Sequence, residues 1–189
     1  MLWLDFDGVL ADSAYECLYL VESIEGKLSN EQGNVFKNNR YLVNEPYGFF
    51  ILHDLCRSNV EISSLKFCYN KLYNSFPNSK IVDLHQTFFD KRRFLVKRDI
   101  GEWCNINPPT SFFNKLRALD LDRQRIKIVS TKNFHALKTW LDFYEFDVGQ
   151  IFGNDEYRSF KNKFNIIKYQ SISNSIFIDD NYERLYPFH

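Results

Sequence analysis

The stretch Leu2-Trp3-Leu4-Asp5-Phe6-Asp7-Gly8-Val9-Leu10 decides the fold of this 189-residue chain. An apolar run ends in two acids one residue apart, and a glycine then lets the backbone turn sharply. Asp is unfavourable within strands, and two neighbouring carboxylates repel each other unless a cation or a proton lies between them. The motif therefore indicates either a metal site at the end of a parallel strand or an acidic turn after a short edge strand. We expect Asp5 to lie on the strand and Asp7 to come from the turn.

The composition predicts one globular domain with an insertion, or two small domains. Lys+Arg and Asp+Glu both number 24, so the net charge gives no reason to expect nucleic acid or an anionic membrane as a partner. The sequence contains no apolar run of the roughly 20 residues that cross a bilayer. The four cysteines form no C-x-x-C pair and no signal peptide precedes Asp5, so we expect free thiols and a cytoplasmic protein.

The middle of the chain carries helical patterns without a convincing strand. Apolar spacing predicts helices over 14–27, 47–56, 62–76 and 81–98. Glycines, serines and asparagines interrupt the pattern over 26–34, and 101–109 resembles a linker because two consecutive prolines cannot continue a helix. We therefore predict an all-helical insertion over residues 14–104.

The last third of the chain alternates between short β-rich runs and helical patterns. Strands are predicted over 126–129, 148–152 and 176–178, and helices over 111–119, 134–144 and 164–169. Such alternation is typical of a parallel α/β sheet, which the opening strand must join to be stable. The predicted fold class is α/β, a Rossmann-like parallel sheet core split into 1–13 and 105–189.

Polar residues follow each predicted strand. Ser130 and Thr131 come after 126–129, where hydroxyls and backbone N–H groups can hold a phosphate oxygen, although such residues are more often helix N-caps. Asp179 and Asp180 follow the apolar run 176–178, and two acids at the end of a buried strand need a cation or hydrogen-bond donors.

Together with Asp5 and Asp7, this acid pair offers oxygen ligands that suit Mg²⁺. A lysine from the segment 161–163 could balance the acids and hold a phosphate, although lysines at helix starts are usually solvated.

This order of parts resembles the haloacid dehalogenase-like superfamily of hydrolases. The resemblance implies that Asp5 is the nucleophile and Asp7 the general acid/base. It also implies a Mg²⁺ ion held by Asp5, by the backbone carbonyl of Asp7, and by Asp180 and Asp179, with Asp180 touching the metal directly.

For phosphate binding, the resemblance implies Ser130, with Thr131 as its rival, and a lysine of the third motif. Lys161 is favoured for that role because the first lysine of related K-x-K sequences carries it, and Lys163 is the rival. The insertion resembles the helical cap of this superfamily.

The implied activity is a Mg²⁺-dependent phosphomonoesterase that hydrolyses a small organic phosphate, such as a sugar phosphate or nucleotide, through an aspartyl-phosphate. Asp7 favours phosphate esters over carbon–halogen bonds, since family dehalogenases usually lack this second acid. One alternative is a phosphomutase of the same family, although Cys17 stands where its cap histidine is expected. Another is a non-catalytic binding or assembly protein.

The sequence leaves two alternatives open for each of two surface features, the basic segment and the edge of the sheet. The basic residues of 91–93 and 97–98 could meet a second anionic group of the substrate or form the solvated face of a helix. Only nine residues follow Asp180, so we expect the sheet to lack the further strand that the resemblance implies. Either a homodimer or an aromatic tail (Tyr182, Tyr186, Phe188) could protect its edge.

Overall fold

The computed structural model describes residues 1–170 and 174–180, and within them the chain forms two compact units. One unit combines Met1–Ser13 with Asn107–His189, and the other is Ala14–Ile106. The tail residues Tyr182, Tyr186 and Phe188, predicted as a cover for the sheet edge, lie outside the described residues.

The second unit is helical. Its six α-helices are α1 (Ala14–Glu25), α2 (Asn30–Asn38), α3 (Pro46–Arg57), α4 (Ile62–Asn74), α5 (Asn78–Arg98) and α6 (Ile100–Asn105). The four predicted helices are confirmed with small changes at their ends. Aromatic rings fill the interior, where Phe49 stacks on Phe88 with ring centroids 5.6 Å apart and lies 6.1 Å from Phe36.

Helices α2 and α6 were not predicted, because glycine, asparagine and proline dominate their neighbourhoods. Both have strong N-caps. Ser29 and Gln32 form a reciprocal capping box at the start of α2, and the Asp99 side chain accepts a hydrogen bond from the Glu102 N–H at the start of α6. Such caps satisfy the N–H groups that a helix start leaves unpaired, and they offset poor helix formers.

A buried ion cluster lies within the helical unit. The Glu16 carboxylate is fully buried and accepts hydrogen bonds from Arg92 Nε at 2.7 Å, Arg92 Nη2 at 3.0 Å and Trp103 Nε1 at 2.7 Å. Arg92 is thus neither a solvated charge nor open to a substrate anion, which corrects both interpretations at this one position. The other basic residues of the segment are exposed, as the solvated helix face predicts: Lys91, Arg93, Lys97 and Arg98. The cluster connects α1, α5 and α6.

The described residues of the other unit form a four-stranded sheet. Its strands are β1 (Leu2–Leu4), β2 (Ile126–Val129), β3 (Gln150–Phe152) and β4 (Ile176–Ile178). All neighbouring strands are parallel, in the order β3-β2-β1-β4. Leu4 lies opposite Ile128 on one side and Ile178 on the other, so β1 is an interior strand. The prediction of an α/β protein with a parallel sheet is confirmed.

In the described part of this unit, four helices accompany the sheet: α7 (Ser111–Ala118), α8 (Phe134–Phe143), α9 (Asn154–Phe160) and α10 (Lys163–Gln170). Trp3 packs with Val129, Phe152, Ile166 and Ile167 in a buried cluster that joins strands to α10. Helix α9 was not predicted. The four cysteines are free thiols, as expected, and among the described residues no helix has the length and apolar character needed to span a membrane.

Candidate active site

Asp5 follows β1 directly and stays in the hydrogen-bond ladder. Its N–H donates to the carbonyl of Ile178 at 2.9 Å, and its Oδ1 accepts from the Phe6 N–H at 2.7 Å. The register places Asp5 level with Asp179, because Leu4 pairs with Ile178 one residue earlier. The side chain is therefore fixed at the carboxyl end of an interior strand, and the residue is only 2% exposed.

The chain then turns at Gly8, whose φ of +84° lies in the left-handed region that favours glycine. The turn is closed by the Gly8 N–H donating to the Ala11 carbonyl at 2.8 Å. A Cβ on Gly8 would lie 1.9 Å from Oδ2 of Asp180. Glycine is thus required by both the backbone angle and the close approach of the Asp180 carboxylate.

Three of the predicted acids come together. Carboxylate oxygens of Asp5, Asp179 and Asp180 all lie within 4.8 Å of one another. Burial raises the pKa of Asp5 from its ordinary value of 3.8 to about 6; Lys163 opposes this rise, and the negative charges of Asp179 and Asp7 add to it. A carboxylate that is costly to ionise in this way is typical of functional sites.

Lys163 neutralises part of this acid cluster. Its Nζ lies 2.5 Å from Asp5 Oδ2 and 2.9 Å from Asp179 Oδ2, and the side chain is 5% exposed. Lys161, which the sequence favoured, is instead an exposed C-cap of α9 with φ of 67°. The structure therefore brings the rival Lys163 to the acids. The physical reason is that Lys163 begins α10 one turn before the buried Ile166 and Ile167, so it shares their inward face.

The two hydroxyl candidates lie in different environments. Ser130 follows β2 and is 1% exposed; its N–H donates to the Phe152 carbonyl at 2.9 Å, and its Oγ accepts from the Lys132 N–H at 3.1 Å. Thr131 is exposed. Neither hydroxyl caps α8, since Asn133 does so by accepting from the His135 N–H. Ser130 is therefore the buried candidate of the two.

Sequence reasoning missed Lys132. Its Nζ lies 3.1 Å from Asp7 Oδ1, 3.2 Å from Asn107 Oδ1 and 4.9 Å from the centre of the Phe6 ring, and the residue is 3% exposed. Asp7 thus has its own cation, separate from the one that binds Asp5. The available signal was a lysine two residues after a serine that ends a buried strand beside the acidic motif.

The charges of the site favour a divalent cation. Four carboxylates (Asp5, Asp7, Asp179, Asp180) face two ammonium groups (Lys132, Lys163), which leaves a formal charge of −2. The donors are hard oxygens, which suit Mg²⁺ better than a softer metal. Asp5, Asp179 and Asp180 are the residues that fit such an ion, and a single divalent cation would cancel the formal charge of −2.

Comparison of the chain with protein-family models, with curated proteins and with solved structures gave no significant match in any of the three.

Proposed function

We propose that this protein is a Mg²⁺-dependent phosphomonoesterase of the haloacid dehalogenase-like type, acting on a small organic phosphate. The strand order β3-β2-β1-β4 supports a Rossmann-like core, because the classic doubly wound sheet contains the same order in its first four strands. In such sheets, ligands bind outside the carboxyl ends of the strands. Asp5, Ser130 and Asp179 all follow strand ends at that edge. The helical unit, inserted after the first of these motifs, takes the role of a cap in this proposal.

The buried contact of Asp5 with Lys163, beside two further acids, carries the proposal. A buried ion pair is a poor way to stabilise a fold, since desolvation offsets much of the attraction. Additional acids beside the pair contribute even less to the stability of the fold, because Asp5 has to be ionised in an environment that raises its pKa to about 6. This arrangement suits a nucleophilic carboxylate that receives a phosphoryl group while a lysine neutralises the new charge.

In the first step, a carboxylate oxygen of Asp5 attacks the phosphorus of the ester and the bond from phosphorus to the alcohol oxygen breaks. Asp7 gives its proton to that oxygen, so the leaving group departs as a neutral alcohol. Lys163 and the Ser130 hydroxyl bind phosphoryl oxygens. A bound Mg²⁺ ion would supply further charge stabilisation to the transferring group.

In the second step, Asp7 removes a proton from a water molecule, and the resulting hydroxide attacks the phosphorus of the aspartyl-phosphate. The bond between phosphorus and Asp5 breaks, which releases inorganic phosphate and restores both side chains. Phosphoryl transfer depends mainly on positioning and charge stabilisation, so a rigid set of strand ends suits it.

The test is hydrolysis of a panel of sugar phosphates, nucleotides and p-nitrophenyl phosphate, with MgCl₂ and with EDTA. We expect hydrolysis that needs Mg²⁺ and is abolished in Asp5→Asn. The control is Asp155→Asn, which changes an exposed acid in the first turn of α9. Hydrolysis that survives Asp5→Asn would contradict the nucleophile assignment, and failure of the wild type on the whole panel would favour the non-catalytic alternative.

A further inference from the structure

We infer that Lys132 is a positioning residue that holds Asp7 ready to protonate the leaving alcohol. This inference rests on the proposed function and deepens it. It gives each acid of the opening motif its own lysine, Lys163 for Asp5 and Lys132 for Asp7.

Lys132 is itself held on several sides. Its Nζ lies between the side-chain oxygens of Asp7 and Asn107, over the face of the Phe6 ring. Its backbone N–H donates to Ser130 Oγ. The ammonium group therefore has little freedom to follow the Asp7 carboxylate if that side chain moves.

Asn107 is a fixed support for this lysine. It is fully buried, and its carbonyl accepts a hydrogen bond from Trp140 Nε1 at 2.7 Å. The segment after it is tied to the opening loop, because the Asp12 N–H donates to the Pro108 carbonyl at 2.8 Å. The contacts with Trp140 and with Asp12 thus restrict how far Asn107, and with it Lys132, can move from the loop that carries Asp7.

Asp7 needs such a restraint. It is two residues from Asp5, and like charges this near repel. The Asp7 side chain is 18% exposed, compared with 2% for Asp5, so it is less enclosed by the fold. While Asp7 is ionised, the attraction of Lys132 opposes both the repulsion from Asp5 and the pull of solvent. Once Asp7 is protonated, the ammonium beside Oδ1 leaves Oδ2 as the oxygen that carries the proton toward the alcohol. A small displacement of a proton donor has a large effect on rate, because proton transfer requires hydrogen-bond distance in the transition state.

A positioning role predicts a dependence on the leaving group. p-Nitrophenolate departs readily without a proton, whereas an alkoxide from glycerol phosphate needs one. The value of kcat/KM covers the steps up to formation of the aspartyl-phosphate, where Asp7 acts as acid. Loss of Lys132 should therefore lower kcat/KM for glycerol phosphate much more than for p-nitrophenyl phosphate.

The experiment measures kcat/KM on both esters with MgCl₂ for wild type, Lys132→Met and Lys132→Arg, with folding monitored by thermal melting. For Lys132→Met we expect a loss of about 10²-fold or more on glycerol phosphate and less than about 10-fold on p-nitrophenyl phosphate. Lys132→Arg retains the positive charge and should recover part of the loss. Lys127→Met is the matched control, since Lys127 lies on β2 and contacts the rings of Trp3 and Phe152.

A double mutant separates action through Asp7 from a general effect of charge. If Lys132 acts through Asp7, Lys132→Met should cause no further loss of kcat/KM in an Asp7→Asn background. Equal losses on both esters, or a further loss in that background, would overturn the inference while leaving the phosphatase proposal intact. If the wild type hydrolyses neither these esters nor the wider panel, the proposed function fails and the inference fails with it.

A second variant covers poor folding of Lys132→Met. Asn107→Leu keeps Lys132 and removes the Asn107 side-chain oxygen that accepts a hydrogen bond from it. This variant should also lose more kcat/KM on glycerol phosphate than on p-nitrophenyl phosphate, with a smaller difference than Lys132→Met. A folded Asn107→Leu protein without that difference would contradict the positioning role.

Discussion

Asp5→Asn should stabilise the folded protein at neutral pH when divalent cations are removed with EDTA. In the wild type, the buried Asp5 carboxyl has its pKa raised from 3.8 to about 6, mainly by burial. At pH 7.5 the protein must therefore hold an ionised group in a place that disfavours ionisation. Asparagine has similar size and no charge to bury. Lys163 keeps its contact with Asp179 in the variant.

The size of the effect follows from the pKa difference. A rise of about 2 in pKa corresponds to about 3 kcal/mol of folding free energy at pH values above both pKa values. Because the folded pKa is the higher one, the stabilising contribution of the protonated form is fully present below about pH 4 and is lost as pH rises through about 6. The advantage of Asp5→Asn should thus appear between these pH values and reach its full size near pH 7.

The assay is calorimetric melting of both proteins in EDTA at several pH values from 4 to 8. A change of about 3 kcal/mol in a chain of this size corresponds to about 6 to 12 °C in melting temperature. Asp155→Asn, at an exposed site, should show no pH-dependent difference from wild type. An Asp5→Asn protein that melts at or below the wild-type temperature at pH 7.5 would show that the ionised Asp5 carboxylate does not destabilise the fold.

Three further substitutions test the site and the helical unit. Gly8→Ala should lower unfolding free energy by about 1 kcal/mol or more and abolish the Mg²⁺-dependent rise in melting temperature, because the new Cβ meets the Asp180 carboxylate at a positive φ. Lys163→Met should lower phosphate ester hydrolysis by about 10² to 10³-fold, whereas Lys161→Met should leave it unchanged. Glu16→Gln should destabilise the helical unit by about 3 to 5 kcal/mol in urea denaturation, since it leaves a cation without its buried partner.

Each of these substitutions has an outcome that would contradict its premise. A Gly8→Ala protein with an unchanged Mg²⁺ response would remove Asp180 from the metal site. Equal losses of hydrolysis in Lys161→Met and Lys163→Met would contradict the assignment of Lys163 as the phosphate-binding lysine. A Glu16→Gln protein as stable as wild type would show that the Glu16 cluster contributes little to the fold.

The polar residues that meet at the strand ends were predictable from the sequence, because each of them directly follows an apolar run. Parallel strands bring the residues that follow them to one edge, so the hydroxyls after 126–129 and the paired acids after 176–178 were expected there together. The expected burial holds for β2 but only in part for β4, where Ile176 is 66% exposed. Asp5, Asp179 and Asp180 could therefore be placed near one another before any contact was known.

The two lysines were harder to place, because a lysine side chain is long and its burial depends on packing. The choice between Lys161 and Lys163 depended on where α10 begins, and helix ends are the least predictable part of a secondary structure. Lys132 was missed because its burial depends on Asn107 and Phe6, and Asn107 lies in a stretch that resembles a linker. Helix α2 was missed because its capping box outweighs a composition typical of a loop.

The most direct test of the central claim is detection of a phosphoryl group on Asp5. The protein is mixed with acetyl phosphate and MgCl₂, quenched in acid within a single turnover, reduced with borohydride and analysed by mass spectrometry of its peptides. Borohydride reduces an acyl phosphate to an alcohol, so we expect homoserine at position 5 in wild type and none in Asp5→Asn. Hydrolysis of acetyl phosphate without any modification at Asp5, or with the modification at Asp7 or Asp179, would contradict the role of Asp5 as the nucleophile.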